Sequence, residues 1–410
     1  MVRPEIPPWQ AVAVHTTRAV TAALLIATLV AYSSQGLLVP VLAPVTREVG
    51  LGEVDLGLVM TLAAAMLVVG GPWWGRQVDA RGVHAVLVRG LAIAVAGAAG
   101  FAVMAHVAAA HDLPRAVVLS SFVATRGVLF GFGFAAVPVA AMTYLASLSE
   151  GVEDRTRAMG AFGAVQGIAL VVGPAAGGLL AVAGLLMPVD VAPVLLLVTL
   201  AAVARLPTPD HQERPPSERL ATGDPRVLPY LVSGGALFLG LALVEIILGF
   251  LIQDRLHLSN RQTAGAVAVA GVAIGVGFAL TQALLAPRVP GGPRALVAAG
   301  SLIAVVGYLL SMVTQTLPTL VPALLVIAVG LGLAIPGFNA GATLAVSPAE
   351  HAAAAGLLSA TVGLTYVVGP LLGTALYALH PLAPIIGAAL LSVVAAALAV
   401  TRIDSAPVPR

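Results

Sequence analysis

Twelve stretches of predominantly apolar residues, most of them 20 or more residues long and separated by short segments rich in Arg, Pro and Gly, dominate this chain. An α-helix rises 1.5 Å per residue, so about 20 apolar residues cross the ~30 Å hydrocarbon layer of a bilayer. The stretches run approximately over 19–44, 55–75, 84–107, 115–146, 157–185, 189–205, 228–253, 262–287, 294–315, 318–346, 352–379 and 382–401. With 59% hydrophobic and 9% charged residues, the chain has too little polar surface to be solvated by water on all sides. Lipid is the expected solvent. The first stretch exceeds the roughly 7–15 residue core of a signal peptide and is expected to stay as a span.

All twenty basic residues are Arg, and their distribution sets an orientation. With a cytoplasmic N-terminus, fifteen fall inside or at the inner interface, four (Arg47, Arg115, Arg255, Arg261) fall outside, and Arg126 lies at depth. Both termini are therefore expected in the cytoplasm of a bacterium, with the chain multi-pass in the inner membrane. The segment from Leu206 to Val227 is rich in Pro and charge and reads as a cytoplasmic linker. It divides the chain into six spans over 1–205, the linker at 206–227, and six spans over 228–410.

An internal repeat supports that division. GIALVVGPAAG at 167–177 and GLTYVVGPLLG at 363–373 align without gaps and share six of eleven residues. Gly167, Gly173, Pro174 and Gly177 correspond to Gly363, Gly369, Pro370 and Gly373. Small residues at this spacing let helix backbones approach closely, and each Pro removes a backbone hydrogen bond and bends its helix. The expected fold is all-α and integral to the membrane, with twelve transmembrane helices in two pseudo-symmetric six-helix bundles.

The segment GAFGAVQGIALVVGPAAGG, ending in Gly177 and Gly178, resembles the fifth-helix motif of the drug:proton antiporter branch of the major facilitator superfamily. GRQVDARGVHAVL resembles that family's loop between helices two and three, with Gly75, Asp79 and Gly82 in place and Arg81 the charge retained nearby. It departs at Ala80, Val83 and His84, where the family carries basic residues, which weakens the latch such a loop would make between the halves. VATRGVLFGFG resembles the helix-four motif of an Arg followed by glycines, but Arg126 to Gly131 is one residue longer than usual. The resemblance implies a conformationally alternating transporter whose cavity is lined by helices one, four, seven and ten.

Independently of resemblance, Arg126 and Glu245 stand out. An Arg at a helix centre costs roughly 2.5–3.5 kcal/mol on insertion scales, so such residues face a cavity or a partner. Glu245 is the one carboxylate read as deep in any span, and a buried carboxylate near an Arg can exchange protons near neutral pH. Counted from the outer ends of their spans, the two lie at similar depth, and they are expected to form a proton-coupling pair across the cavity. A static salt bridge is the alternative. Gln35 and Asn339 are candidate cavity residues, while Gln166, Gln282, Tyr144, Tyr308 and Tyr366 read as structural.

No zincin, nucleophile-elbow or Walker motif occurs, so no enzyme, cofactor, metal or ATP chemistry is expected. The basic residues are scattered at a net charge of +2, which excludes a nucleic-acid partner. The expected partners are a small lipophilic or weakly cationic substrate, protons and the bilayer, and the chain is expected to act as a monomer. Export by proton antiport is the favoured reading. Uptake by symport or uniport on the same fold is the alternative.

Overall fold

The computed structural model describes residues 8–148, 152–207, 220–221, 223–347 and 350–403. Among them every regular element is a helix. In chain order these are α1 (Pro8–Gly36), α2 (Leu42–Glu48), α3 (Glu53–Arg81), α4 (Val83–Ala110), α5 (Arg115–Phe122), α6 (Gly131–Ser147), α7 (Val152–Ala183), α8 (Met187–Val203), α9 (Leu228–Leu256), α10 (Asn260–Leu280), α11 (Gly292–Val313), α12 (Leu317–Leu344), α13 (His351–Leu379) and α14 (Ala383–Arg402). A π-helical segment, Val123–Phe130, joins α5 to α6 into one rod, and a second, Thr281–Leu285, extends α10. Eleven of these rods are long and apolar enough to cross a membrane. The 17-residue Met187–Val203 is shorter and equally apolar, which makes the set consistent with twelve crossings.

Lipid offers no hydrogen bonds, so hydroxyls inside the rods must find partners within their own helix. Thr28, Ser34, Ser233, Thr281, Ser301 and Ser392 each do so, donating to the carbonyl four residues earlier at 2.6–2.9 Å.

Two boundaries differ from the sequence reading. The first stretch is not one helix: α1 stops at Gly36, and turns carry the chain to α2. Pro40, which lacks an N–H and disfavours helix in the residue before it, lies in that break. Conversely, GRQVDAR is not a loop. Gly75, Asp79 and Arg81 continue α3 to its end, and the chain turns only at Gly82, whose φ of 81° is cheap for glycine alone. Most of the expected linker lies outside the described residues; its start is pinned where the Tyr144 hydroxyl donates to the Pro207 carbonyl.

Within residues 8–207, α4 packs on α6 and α8; within 223–403, α11 packs on α12 and α14. Two helices make the principal contacts between these parts. α7 packs on α1 and α10, and α13 packs on α9 and α3. The face where α1 begins and α14 ends is called the terminal face below, and the other the opposite face.

Candidate functional site

The repeated Gly-Pro segments perform the same packing task twice. A Cβ added at Gly173 would lie 2.7 Å from the Gly36 Cα, and one at Gly177 would lie 2.2 Å from the Leu37 carbonyl oxygen, so α7 meets α1 backbone to backbone. At Gly369 an added Cβ would lie 2.4 Å from the Ala242 Cβ, and at Gly373 2.7 Å from the Leu243 carbonyl oxygen, so α13 meets α9 in the same way. Gly178 faces α10, where its added Cβ would lie 2.0 Å from Ala268. Gly363 approaches Val68 of α3 at 2.9 Å. Gly167 alone among these meets nothing within 4 Å. Pro174 and Pro370 lie inside their helices, and near the second the Leu371 N–H donates to Thr61 Oγ1 of α3 at 3.1 Å.

Arg126 sits in the π-helical segment, only 2% exposed. This segment accounts for the extra residue between Arg126 and Gly131. A π-helical turn takes in one residue more than an α-helical turn, so the inserted residue is absorbed and Gly131 keeps the azimuth relative to Arg126 that the shorter spacing would give in an α-helix. The glycines serve close packing: an added Cβ at Gly131 would lie 2.7 Å from the Ala63 carbonyl oxygen and at Gly133 2.5 Å from the Ala94 N. The Arg126 guanidinium carbon stands 4.3 Å from the centroid of Phe130, whose ring stacks on Phe134 at 5.4 Å. Phe134 meets Tyr32 of α1 edge-on, and Tyr32 meets Phe162 of α7 and hydrogen-bonds Gln166. An aromatic chain thus runs from the buried cation to α1 and α7.

Glu245 lies eleven residues before the end of α9, about 16 Å at 1.5 Å per residue. Although it lies midway along a membrane-length helix, Glu245 is an exposed residue of the fold. Its Oε2 stands 3.5 Å from the hydroxyl of Tyr366 on α13, the limit of a hydrogen bond. Arg126 and Glu245 are not brought together. Among the described residues no carboxylate lies within 4.0 Å of Arg126, and its Nε is buried without a hydrogen-bond partner.

Gln35 is half-buried beside Gly36, at the level of Gly173, which is ten residues or about 15 Å from the end of α7. Asn339 is exposed only five residues from the end of α12, near the terminal face. The two candidate cavity amides therefore sit at different depths. Asp79 and Arg81 are exposed on the last turn of α3 and take part in no ion pair among the described residues.

Other charged residues prove more engaged than their positions in the sequence suggested. Asp55 is 3% exposed, accepts from the Gly52 N–H at 2.8 Å and pairs with Arg115 at 2.7 Å. Arg226 pairs with Glu350 at 2.8 Å and with Asp224 at 2.7 Å, fixing the entry of α9 to the start of α13. The Arg226 guanidinium holds both carboxyls below the usual range, Glu350 down to about 2. Tyr366, read as structural, meets Glu245; the sequence signal was its departure from the repeat, where Leu170 holds the matching position.

The sequence profile of the Major Facilitator Superfamily matches residues 24–346. The chain belongs to that superfamily. As a facilitator it has a 27% identical relative in the class C tetracycline resistance protein of Escherichia coli, aligned over 377 residues that cover 87% of this chain and 90% of that protein. Its fold is also that of solved transporters. The human organic anion transporter MFSD10 matches with a TM-score of 0.64 at 20% identity, over 93% of this chain and 99% of that one. A bacterial homologue of the human lysosomal transporter Spinster matches with a TM-score of 0.72 at 16% identity, over 93% and 96%. The nucleoside transporter NupG matches with a TM-score of 0.70 at 12% identity, over 94% and 98%. This is a facilitator fold of membrane-spanning helices, and the chain is a transporter of that superfamily.

Proposed function

We propose that this facilitator exports small lipophilic or weakly cationic compounds in exchange for protons, by alternating access across the bacterial inner membrane. The observation that carries the proposal is Glu245, an exposed carboxylate at mid-depth of its helix with a phenol of a neighbouring helix at hydrogen-bonding reach. A site that must take a proton from one face and release it to the other needs an ionisable group in the middle of the permeation path. Desolvation and neighbouring charge there tune such a group for exchange. The α7 motif and the tetracycline resistance relative support export and antiport.

The terminal face is the cytoplasmic one on this reading, as the Arg distribution requires, and the halves 1–205 and 228–410 rock about the α7 and α13 seams. Arg126 serves the same cycle. It is a buried cation that meets its counter-charge, on Glu245 or on substrate, in another conformation. Gln35 offers a hydrogen-bonding group at mid-depth, and Asn339 one near the cytoplasmic entrance. The monomer is the working unit.

Reconstitution into proteoliposomes tests the proposal. With an inward-acid or outward-acid gradient imposed, ethidium, tetracycline and other lipophilic compounds should move against the proton flux. Movement with the proton flux would establish symport and overturn the antiport reading, and movement indifferent to the gradient would overturn proton coupling.

A further inference from the structure

On the opposite face, one guanidinium joins the two parts of the chain. Arg47 of α2 donates from Nη1 to Asp254 Oδ1 at 2.5 Å and to Gln253 Oε1 at 3.0 Å, and from Nη2 to Asp254 Oδ2 at 2.9 Å and to Glu53 Oε1 at 2.6 Å. Its carbon also stands 4.9 Å from the ring centroid of Phe250. Every hydrogen on the two terminal nitrogens of the fork is used, in the planar bidentate geometry that makes an Arg–carboxylate pair strong. The Tyr377 hydroxyl of α13 donates to Asp254 Oδ2 at 2.7 Å. Alongside, the Asn260 amide donates to Glu48 and its oxygen accepts from Gln253 Nε2 at 2.6 Å. Among the described residues Arg47 to Asp254 is the one ion pair between residues 8–207 and residues 223–403.

The packing beneath has the same polarity. Towards the opposite face, an added Cβ at Gly57 of α3 would lie 2.0 Å from Thr374 of α13 and at Gly178 of α7 2.0 Å from Ala268 of α10, while at mid-depth one at Gly275 of α10 would lie 2.7 Å from Val171 of α7. Nearer the terminal face, several glycines of α3, α7 and α13 make no such close approach. Cβ atoms added at Gly71, Gly75, Gly160, Gly163 or Gly356 would meet nothing within 4 Å. Asp79 and Arg81 there hold no ion pair among the described residues, and the family's basic residues are missing at Ala80, Val83 and His84.

We infer that Arg47, Asp254 and Tyr377 form the latch that holds the opposite face shut, and that this latch makes the terminal-open form the resting state of this transporter. Its placement also ties it to Glu245. Tyr366 and Tyr377 are eleven residues apart, about three turns, and so share one face of α13. One tyrosine meets Glu245 and the other Asp254, both on α9. A shift of α13 along α9 at Glu245 therefore pulls on the latch, and these two tyrosines are positioning residues for the cycle.

The inference rests on alternating access, and its test needs neither substrate nor a gradient. The chain has no Cys, so nitroxide labels can be placed directly. One pair, Asp112→Cys with His380→Cys, reads the opposite face; another, Ala80→Cys with His351→Cys, reads the terminal face. Double electron–electron resonance on the resting protein should give a short distance for the first pair and a long one for the second. Asp254→Asn and Arg47→Ala should each shift the majority of molecules to the reverse pattern, and the exchange Arg47→Asp with Asp254→Arg should restore the original. Unchanged distributions in the single variants, or failure of the charge exchange to restore the resting pattern while the protein stays monodisperse, would overturn the latch. Loss of proton-coupled efflux in wild type, with these distances as expected, would overturn the proposed function and leave the latch standing.

Discussion

The phenol of Tyr366 and the carboxylate of Glu245 meet at 3.5 Å between α13 and α9, the two helices that also pack backbone to backbone through Gly369 and Gly373. The contact is polar and at mid-depth, on a seam otherwise built from small residues. Tyr366→Phe keeps the ring and removes the donor. A hydrogen bond of this kind contributes about 1 kcal/mol, so the bonded arrangement should fall roughly fivefold in population. Gradient-driven transport should slow by a similar factor, with expression unchanged and thermal stability in detergent lowered by no more than this ~1 kcal/mol. Transport at the wild-type rate would show that the phenol plays no part in the cycle.

The Gly-Pro seams predict a contrast within one motif. Gly177→Ala drives a Cβ to within 2.2 Å of the Leu37 carbonyl oxygen, and backbone cannot step aside. Overpacking of this sort costs about 1–3 kcal/mol, and Gly373→Ala, facing the Leu243 carbonyl, should behave alike. Gly167→Ala has open space and should be neutral or stabilising by up to about 1 kcal/mol through helix propensity. Thermal melts of the three variants in detergent decide the matter.

Much of this was legible beforehand. Apolar run length found the rods, because a helix in lipid must be long and apolar whatever its neighbours, and the repeat at 167–177 and 363–373 marked two segments built for close helix packing, though not the helices they pack on. The ends were less legible. Pro40 broke the first stretch and Gly82 alone ended α3, since local backbone chemistry, not hydropathy, sets where a helix stops. Depth along a helix could be counted, which placed Arg126 and Glu245 at one level. Azimuth could not, because the π-helical segment changes the rotation per residue between Arg115 and Gly131. Contacts between distant segments, such as Arg47 with Asp254, leave no local signature.

Arg126 offers a test of charge against packing. Arg126→Met roughly preserves the volume over Phe130 and removes a buried cation that, among the described residues, has no carboxylate within 4.0 Å. Replacing a desolvated charge by an apolar residue is commonly neutral or stabilising. The melting temperature should hold or rise, while transport should drop about tenfold or more, at least ~1.4 kcal/mol on the barrier. A variant that melts lower yet transports normally would assign Arg126 to structure.

Glu350 gives a pH signature outside the membrane. Arg226 holds it down to about 2, below its ordinary value near 4.3, so its contribution to stability is fully present above about pH 4.3 and is lost as pH falls through about 2. Asp224, lowered by the same guanidinium, titrates in the same direction. The melting temperature of wild type should exceed that of Glu350→Gln by a constant margin above about pH 4.5, and the two should converge towards pH 2. A margin that persists at pH 2 would contradict the assignment.

The central claim concerns the proton carried by Glu245, and a comparison of two transport modes in the same proteoliposomes tests it most directly. Counterflow of labelled substrate against unlabelled substrate needs only alternating access, whereas uphill export needs the proton. Glu245→Gln should retain counterflow and lose gradient-driven accumulation. Uphill transport by Glu245→Gln at the wild-type level would contradict the account.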